Sequence, residues 1–220
     1  MHKIILRTEG LFKNYGEISI LKNLHFQLHV NEAIAILGAS GEGKTTLLHL
    51  LGALEKPSKG RVFYLQDELN AKNARHFRLK HFGFIFQFFN LLEELTALEN
   101  VLMPFYILKR KKKHFEPTAL KLLAEVGLEH LSRKSVKHFS GGEKQRVAIA
   151  RAFCNDPEII FADEPSGNLD HQNSKKIGGL LLDFVKKKKK SLVLVTHNQE
   201  LADLCDKRYL LKDGILELLP

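Results

Sequence analysis

Apolar runs of two textures punctuate the chain. Leu24–Val30, "LHFQLHV", alternates apolar and polar positions, which predicts an antiparallel strand with one wet face. Ala33–Leu37 "AIAIL", Glu158–Ala162 "EIIFA" and Leu192–Val195 "LVLV" are apolar without interruption. Such runs predict central strands of a parallel sheet covered on both faces. Helical periodicity fills the intervals. "TTLLHLLGAL" follows the first of these runs, and Ile177, Leu180, Leu181, Phe184 and Val185 fall on one face of a later helix that ends in lysines. Strands alternating with helices predict an α/β fold: a mostly parallel sheet with an antiparallel β part near the N-terminus. From about residue 88 to 157 the texture changes, and helical segments succeed one another with no convincing strand. That predicts a helical lobe inserted into one domain spanning 1–220.

Composition narrows the class. With 220 residues and 44% apolar content, the chain is long enough for a substantial core. It contains no run of eighteen apolar residues, so a membrane-spanning helix is not expected. The opening "MHKIILRTEG" has neither a long apolar stretch nor a small-residue cleavage site, so a secretory signal is not expected either. Cys154 and Cys205 are too few and too far apart for a disulfide framework or a zinc site, which suits a reducing cytosol. Much of the net charge of +9 sits in two runs, Lys109–Lys113 and Lys186–Lys190. Both read as solvated helix ends, with attraction to anionic lipid or nucleic acid as the alternative. No zinc-finger spacing or ribonucleoprotein-type aromatic motif accompanies them, so nucleic acid is not the expected partner.

Candidate chemistry starts at "GASGEGKTT", Gly38–Thr46, directly after the strand Ala33–Leu37 and directly before a helical pattern. Its spacing, G-x-x-x-x-G-K-[ST], is that of a polyphosphate cradle. Gly38, Gly41 and Gly43 let the backbone of Ala39, Ser40, Glu42 and Thr46 wrap close to the phosphates with its N–H groups inward. Lys44 sets a positive charge against the β- and γ-phosphates, and the Thr45 hydroxyl is a ligand for Mg²⁺. "IIFADEPSGNLD" then supplies carboxylates: Asp163 at a strand end for the metal, and Glu164 as the general base for water. Neighbouring strand residues face opposite ways, so the two need not share a role. His197 ends "LVLVTH", at the carboxyl edge where ligands collect in such sheets, and is expected to touch the γ-phosphate and link it to Glu164. A second anion-binding element follows in "FSGGEKQRVAIARAF", where Ser140, Gly141 and Gly142 open a helix. One bound nucleotide does not need two cradles.

Read in order, Tyr15, "GASGEGKTT", Gln87 in "FGFIFQFF", "SGGEKQ", "FADEP", "GNLD" and "VTH" resemble the nucleotide-binding subunit of ABC transporters over essentially the whole chain. The resemblance implies a P-loop NTPase fold and ATP hydrolysis with Mg²⁺. It implies that Tyr15 stacks on adenine, that Gln87 touches Mg²⁺ and senses a membrane partner, and that Asp170 lies at a dimer seam. It also implies that Ser140, Gly141 and Gly142 serve the ATP of a second copy, so that a head-to-tail homodimer completes both sites. The implied partner is an integral-membrane permease subunit, with this chain peripheral on the cytoplasmic face of the inner membrane. "LLEELTALENVLMP" and "ADEPSGNLD" are closest to the lipoprotein-releasing (LolD-type) subgroup, with MacB-type exporters and FtsE-type division ATPases as relatives. Three positions depart from the family wording: Glu42 for a small residue, Thr45 for serine and Ser166 for threonine. Glu42 adds a negative charge beside the phosphates, so Glu42→Ser is expected to leave ATP affinity equal or better.

Overall fold

The computed structural model describes residues 3–108 and 114–220. The Lys109–Lys113 run therefore lies outside the described residues.

An antiparallel sheet forms first, built on the twelve-residue strand β1 (Ile4–Tyr15). It pairs with β2 (Ile18–Leu24), β3 (Gln27–His29) and β5 (Lys59–Tyr64), and β5 pairs in turn with β6 (Asp67–Glu68). The strand expected over Leu24–Val30 is thus broken at His25–Phe26. The cause is Thr8, whose backbone N–H bonds Phe26 O at 2.9 Å. Its buried hydroxyl accepts from Phe26 N at 2.9 Å and donates to Leu24 O at 3.2 Å. A side chain has replaced one rung of the ladder.

The second sheet has the order β11-β10-β4-β9-β8-β7. Its strands are β4 (Ala33–Leu37), β7 (Phe82–Ile85), β8 (Ile159–Asp163), β9 (Ser191–Val195), β10 (Lys207–Lys212) and β11 (Ile215–Leu218). All neighbours are parallel except the β10–β11 hairpin. Uninterrupted apolar strands bury both faces here. Leu192 and Leu194 enter one core, and Val193 and Val195 enter the other. The second core also holds the antiparallel sheet, the leucines of α1 (Lys44–Leu51) and Phe77 of α2 (Ala74–His81). The first holds α3 (Ala97–Ile107), α4 (Glu116–Glu125), α5 (Gly141–Phe153) and α6 (His171–Lys187).

Among the described residues, the segment between β7 and β8 contains helices and one isolated bridge, Thr96 to Ser135, but no strand. The apolar run from Phe88 to Leu108 is helical only from Ala97. Ahead of that, the buried Asn100 holds the loop by donating to Leu92 O at 3.0 Å and accepting from Leu92 N at 2.9 Å. Helix α5 lies directly on β7: a Cβ at Gly83 would stand 2.4 Å from Ala152 O. That close contact ties the C-terminal end of α5, opposite Ser140, to the sheet. At the end of α6, Lys188 pairs with Glu125 at 2.8 Å and Lys190 with Asp156 at 2.6 Å. Part of the second lysine run is therefore neutralised within the fold.

Candidate functional site

Strand register assembles the site. Asp163 on β8 stands opposite Val195 on β9, Val195 stands opposite Ile36 on β4, and Leu37 closes β4. The three strands end level, so the chain leaving each of them arrives at one edge. Gly38 and Glu164 follow β4 and β8 directly, and His197 follows β9 after Thr196. A cavity of about 570 Å³ opens there, lined by Ser40, Gly41, Gly43, Lys44, Thr45 and Thr46 with Ile20, Gln87, Glu164 and His197. It lies at the carboxyl ends of the parallel strands, where ligands bind in such sheets.

The cradle has no slack at two glycines. A Cβ at Gly38 would meet Leu211 O at 2.5 Å, and one at Gly43 (φ 93°) would meet Ile20 Cγ2 at 2.5 Å. Gly43 is also the N-cap of α1 and offers no side-chain cap, so no side chain of the cap satisfies the first amides of that helix, an arrangement suited to an anion. Lys44 is buried and donates to Gly38 O and Ala39 O, each at 2.9 Å. An ammonium has three protons. Two brace the loop, and the third is left available to an anion.

Beneath the loop, the Thr45 hydroxyl donates to Asp163 Oδ1 at 3.0 Å. Burial pushes the Asp163 carboxyl up from its ordinary value, and the Thr45 hydrogen bond pulls it back. The raised value sets a sign. Below the ordinary aspartate range the carboxyl is protonated in folded and unfolded chain alike; as pH rises through the raised value, the fold carries a charge it disfavours. Asp163→Asn should therefore raise the melting temperature of the nucleotide-free protein, by about 2–4 °C for each 1 kcal/mol relieved. The gap between variant and wild type should widen as pH climbs from about 4, and a thermal melt at several pH values measures it.

Strand β8 stops at Asp163. Glu164 takes φ 42°, a left-handed conformation rare outside glycine, while its N–H bonds Val195 O at 2.9 Å. This turn, rather than strand alternation, separates the two carboxylates. Glu164 Oε2 accepts from His197 N at 3.3 Å and lies 2.9 Å from His197 Nδ1. An ionised carboxylate cannot donate, so Nδ1 carries the proton of that contact. His197 is 70% exposed and Glu164 only 14%, so the histidine covers the carboxylate from the solvent side.

Other expected residues stand apart from this cluster. Ser140, Gly141 and Gly142 do not line the cavity. Ser140 is the exposed N-cap of α5 in a capping box: its hydroxyl accepts from Glu143 N at 3.3 Å, and Glu143 Oε2 accepts from Ser140 N at 2.8 Å. The Ser140 N–H bond, helped by the Ser140 hydroxyl at 2.9 Å, holds the Glu143 carboxyl below its ordinary value. Asp170 likewise caps α6, accepting from Asn173 N at 3.0 Å. Tyr15, 48% exposed, donates its hydroxyl toward Glu55 at 2.8 Å, with the Thr46 side chain also in reach. The hydroxyl end of the ring expected against a purine thus stands near Thr46, while Lys13 Nζ lies over the ring, 4.9 Å from its centroid. Glu42 turns away to accept the Asp213 N–H at 2.8 Å.

Three residues with no role expected from the sequence shape the site. Ile20 forms a wall of the cavity. Asn168 clasps Gln87 reciprocally, donating to Gln87 O at 2.9 Å and accepting from Gln87 Nε2 at 3.2 Å. Arg151, whose guanidinium burial pulls down to about 10, donates to Phe89 O at 2.7 Å and to Asn90 O. It braces the loop behind Gln87, where Phe89 and Asn90 both have positive φ. An arginine among the apolar positions of "VAIARAF" was the signal available for it. Beside that loop runs an apolar groove of about 480 Å³, lined by Phe84, Phe86, Pro104, Ile107 and Arg151 among others. No described helix is long and apolar enough to cross a membrane.

The ABC transporter family model matches residues 21–167. The lipoprotein-releasing system ATP-binding protein LolD of Cytophaga hutchinsonii is 47% identical, over 96% of this chain and 98% of that protein. The protein of the same name from Protochlamydia amoebophila is 46% identical, over 97% and 96%. Among solved structures, a dimeric MJ0796, a bacterial ABC transporter cassette, aligns with a TM-score of 0.87 at 37% identity, covering 97% of each chain. A dimeric post-hydrolysis state of MJ0796 bound to ADP and phosphate aligns at 0.84, with 34% identity over 98% of this chain and 99% of that one. This chain belongs to the ABC transporter family, as an ATP-binding and ATP-hydrolysing cassette of the LolD type.

Proposed function

We propose that two copies of this chain close head to tail on two ATP molecules and drive a membrane complex that releases lipoproteins. The observation that carries the paired arrangement is the N-terminus of α5, where the exposed Ser140 leads into Gly141 and Gly142 and which the chain's own cavity does not use. Each copy then holds one incomplete half of each site. ATP favours the closed pair by bridging both halves, and loss of the γ-phosphate releases them.

Within one half, the Gly38–Thr46 backbone and Lys44 hold the phosphates, and Tyr15 meets adenine. The oxygens of Thr45 and Asp163, 3.0 Å apart, form a hard-donor pair that fits Mg²⁺, with Gln87 on the same cavity. When bound, the ion neutralises charge on the transferring phosphoryl group. Glu164 Oε1, free of the His197 contacts, takes a proton from water as the water oxygen attacks the γ-phosphorus and the bond to ADP breaks. His197 holds Oε2 and aims the carboxylate, with Asp170 at the seam between copies.

Lipoprotein release is supported by identity of 46–47% to LolD proteins along nearly the whole chain. The chain itself would sit on the cytoplasmic face of the inner membrane. A permease subunit would dock on the apolar groove beside Gln87, near Phe88, which is 73% exposed. Purification from mild detergent tests this reading. Recovery of an integral-membrane subunit whose ATP-dependent action frees lipoproteins from vesicles supports it. Recovery of nucleic acid that survives high salt instead contradicts it.

A further inference from the structure

Glu42 is a carboxylate inside a phosphate cradle, and by charge alone it opposes its ligand. Its position alters that account. The β10–β11 hairpin turns through Asp213 (φ 51°) and Gly214 (φ 79°), between the paired residues Lys212 and Ile215. In a two-residue turn of this kind the first central N–H has no partner in the ladder. Glu42 Oε2 accepts it at 2.8 Å. The neighbouring Gly214 carbonyl accepts from Lys22 N at 2.8 Å, and a Cβ at Gly214 would lie 2.7 Å from Ile20 O. Ile20 in turn abuts Gly43, and Leu211 O abuts Gly38. The hairpin therefore grips the phosphate loop near both ends, and Glu42 supplies the polar part of that grip.

We propose that Glu42 is a positioning residue for ATP binding: its side chain clasps the phosphate loop to the turn of the C-terminal hairpin and holds the loop in its binding shape. Two effects oppose each other, the clasp and the charge, and two substitutions separate them. Serine is too short to reach Asp213 and removes both. Glutamine keeps an oxygen in reach and removes only the charge. Glu42→Ser should raise the KM for MgATP by about fivefold, the ratio expected when the loop holds its competent shape about a fifth of the time. The change should fall on KM rather than kcat, since the cradle grips ground and transition states alike. Glu42→Gln should move KM the other way, by about twofold, as the repulsion is relieved. This reverses the sign expected for Glu42→Ser from charge alone.

The proposal rests on reading Gly38–Thr46 as the phosphate cradle, so a second measurement omits nucleotide. In the free full-length protein, amide exchange at Asp213 should quicken about tenfold in Glu42→Ser and remain slow in Glu42→Gln. If the two variants shift KM in the same direction, or Asp213 exchanges equally fast in all three proteins, the clasp is refuted. An unchanged ATP affinity in Lys44→Ala would instead remove the cradle reading beneath it and leave the exchange result standing.

Discussion

Replacing Glu164 by glutamine is expected to leave ATP bound while hydrolysis slows by about 10²–10⁴-fold. The amide has the shape of the carboxylate, so it fits the φ 42° turn and keeps an oxygen toward His197. It has no basic oxygen to take the proton of the attacking water. Since the γ-phosphate then persists, paired chains should accumulate. Single-turnover hydrolysis and size-exclusion chromatography with ATP read the two effects separately. Turnover at the wild-type rate would remove Glu164 from the role of base.

Lys44→Ala acts at the earlier step. The ammonium is buried, and two of its protons brace Gly38 O and Ala39 O. Its removal deletes the charge facing the phosphates and also leaves two loop carbonyls without their donor. Hydrogen bonds to charged groups contribute about 1.5–3 kcal/mol. Nucleotide affinity should accordingly fall by about 10- to 100-fold, as measured by titration with MgATP on protein shown by circular dichroism to be folded. The two variants divide the mechanism: one binds without reacting, and the other does not reach binding.

The parts of the fold that were legible are those where one local pattern decides the outcome. Ala33–Leu37 matches β4 residue for residue, because a buried parallel strand needs apolar side chains on both faces. The tight loop Gly38–Thr46 was legible for a similar reason, since glycine spacing reports directly on backbone that passes against Ile20 and Leu211. What was not legible depends on residues far apart in sequence. Thr8 breaks the strand expected over Leu24–Val30 by taking ladder bonds from a different strand. Asn168 finds Gln87 across eighty-one positions, and Arg151 reaches back to Phe89 across sixty-two. Glu42 is the plainest instance. Its charge is visible in the motif, whereas its hydrogen bond depends on a turn 171 residues away.

Sharing of each catalytic site between two copies is tested most directly by complementation. Lys44→Ala spoils the cradle and spares the α5 end, while Ser140→Arg does the reverse. Each variant alone should be inactive. Mixed in equal amounts, half of randomly formed pairs are heterodimers with one whole site of two, so ATPase activity should return to about a quarter of the wild-type rate. If the mixture stays as inactive as its components, or if Ser140→Arg alone hydrolyses ATP normally, the sites are not shared.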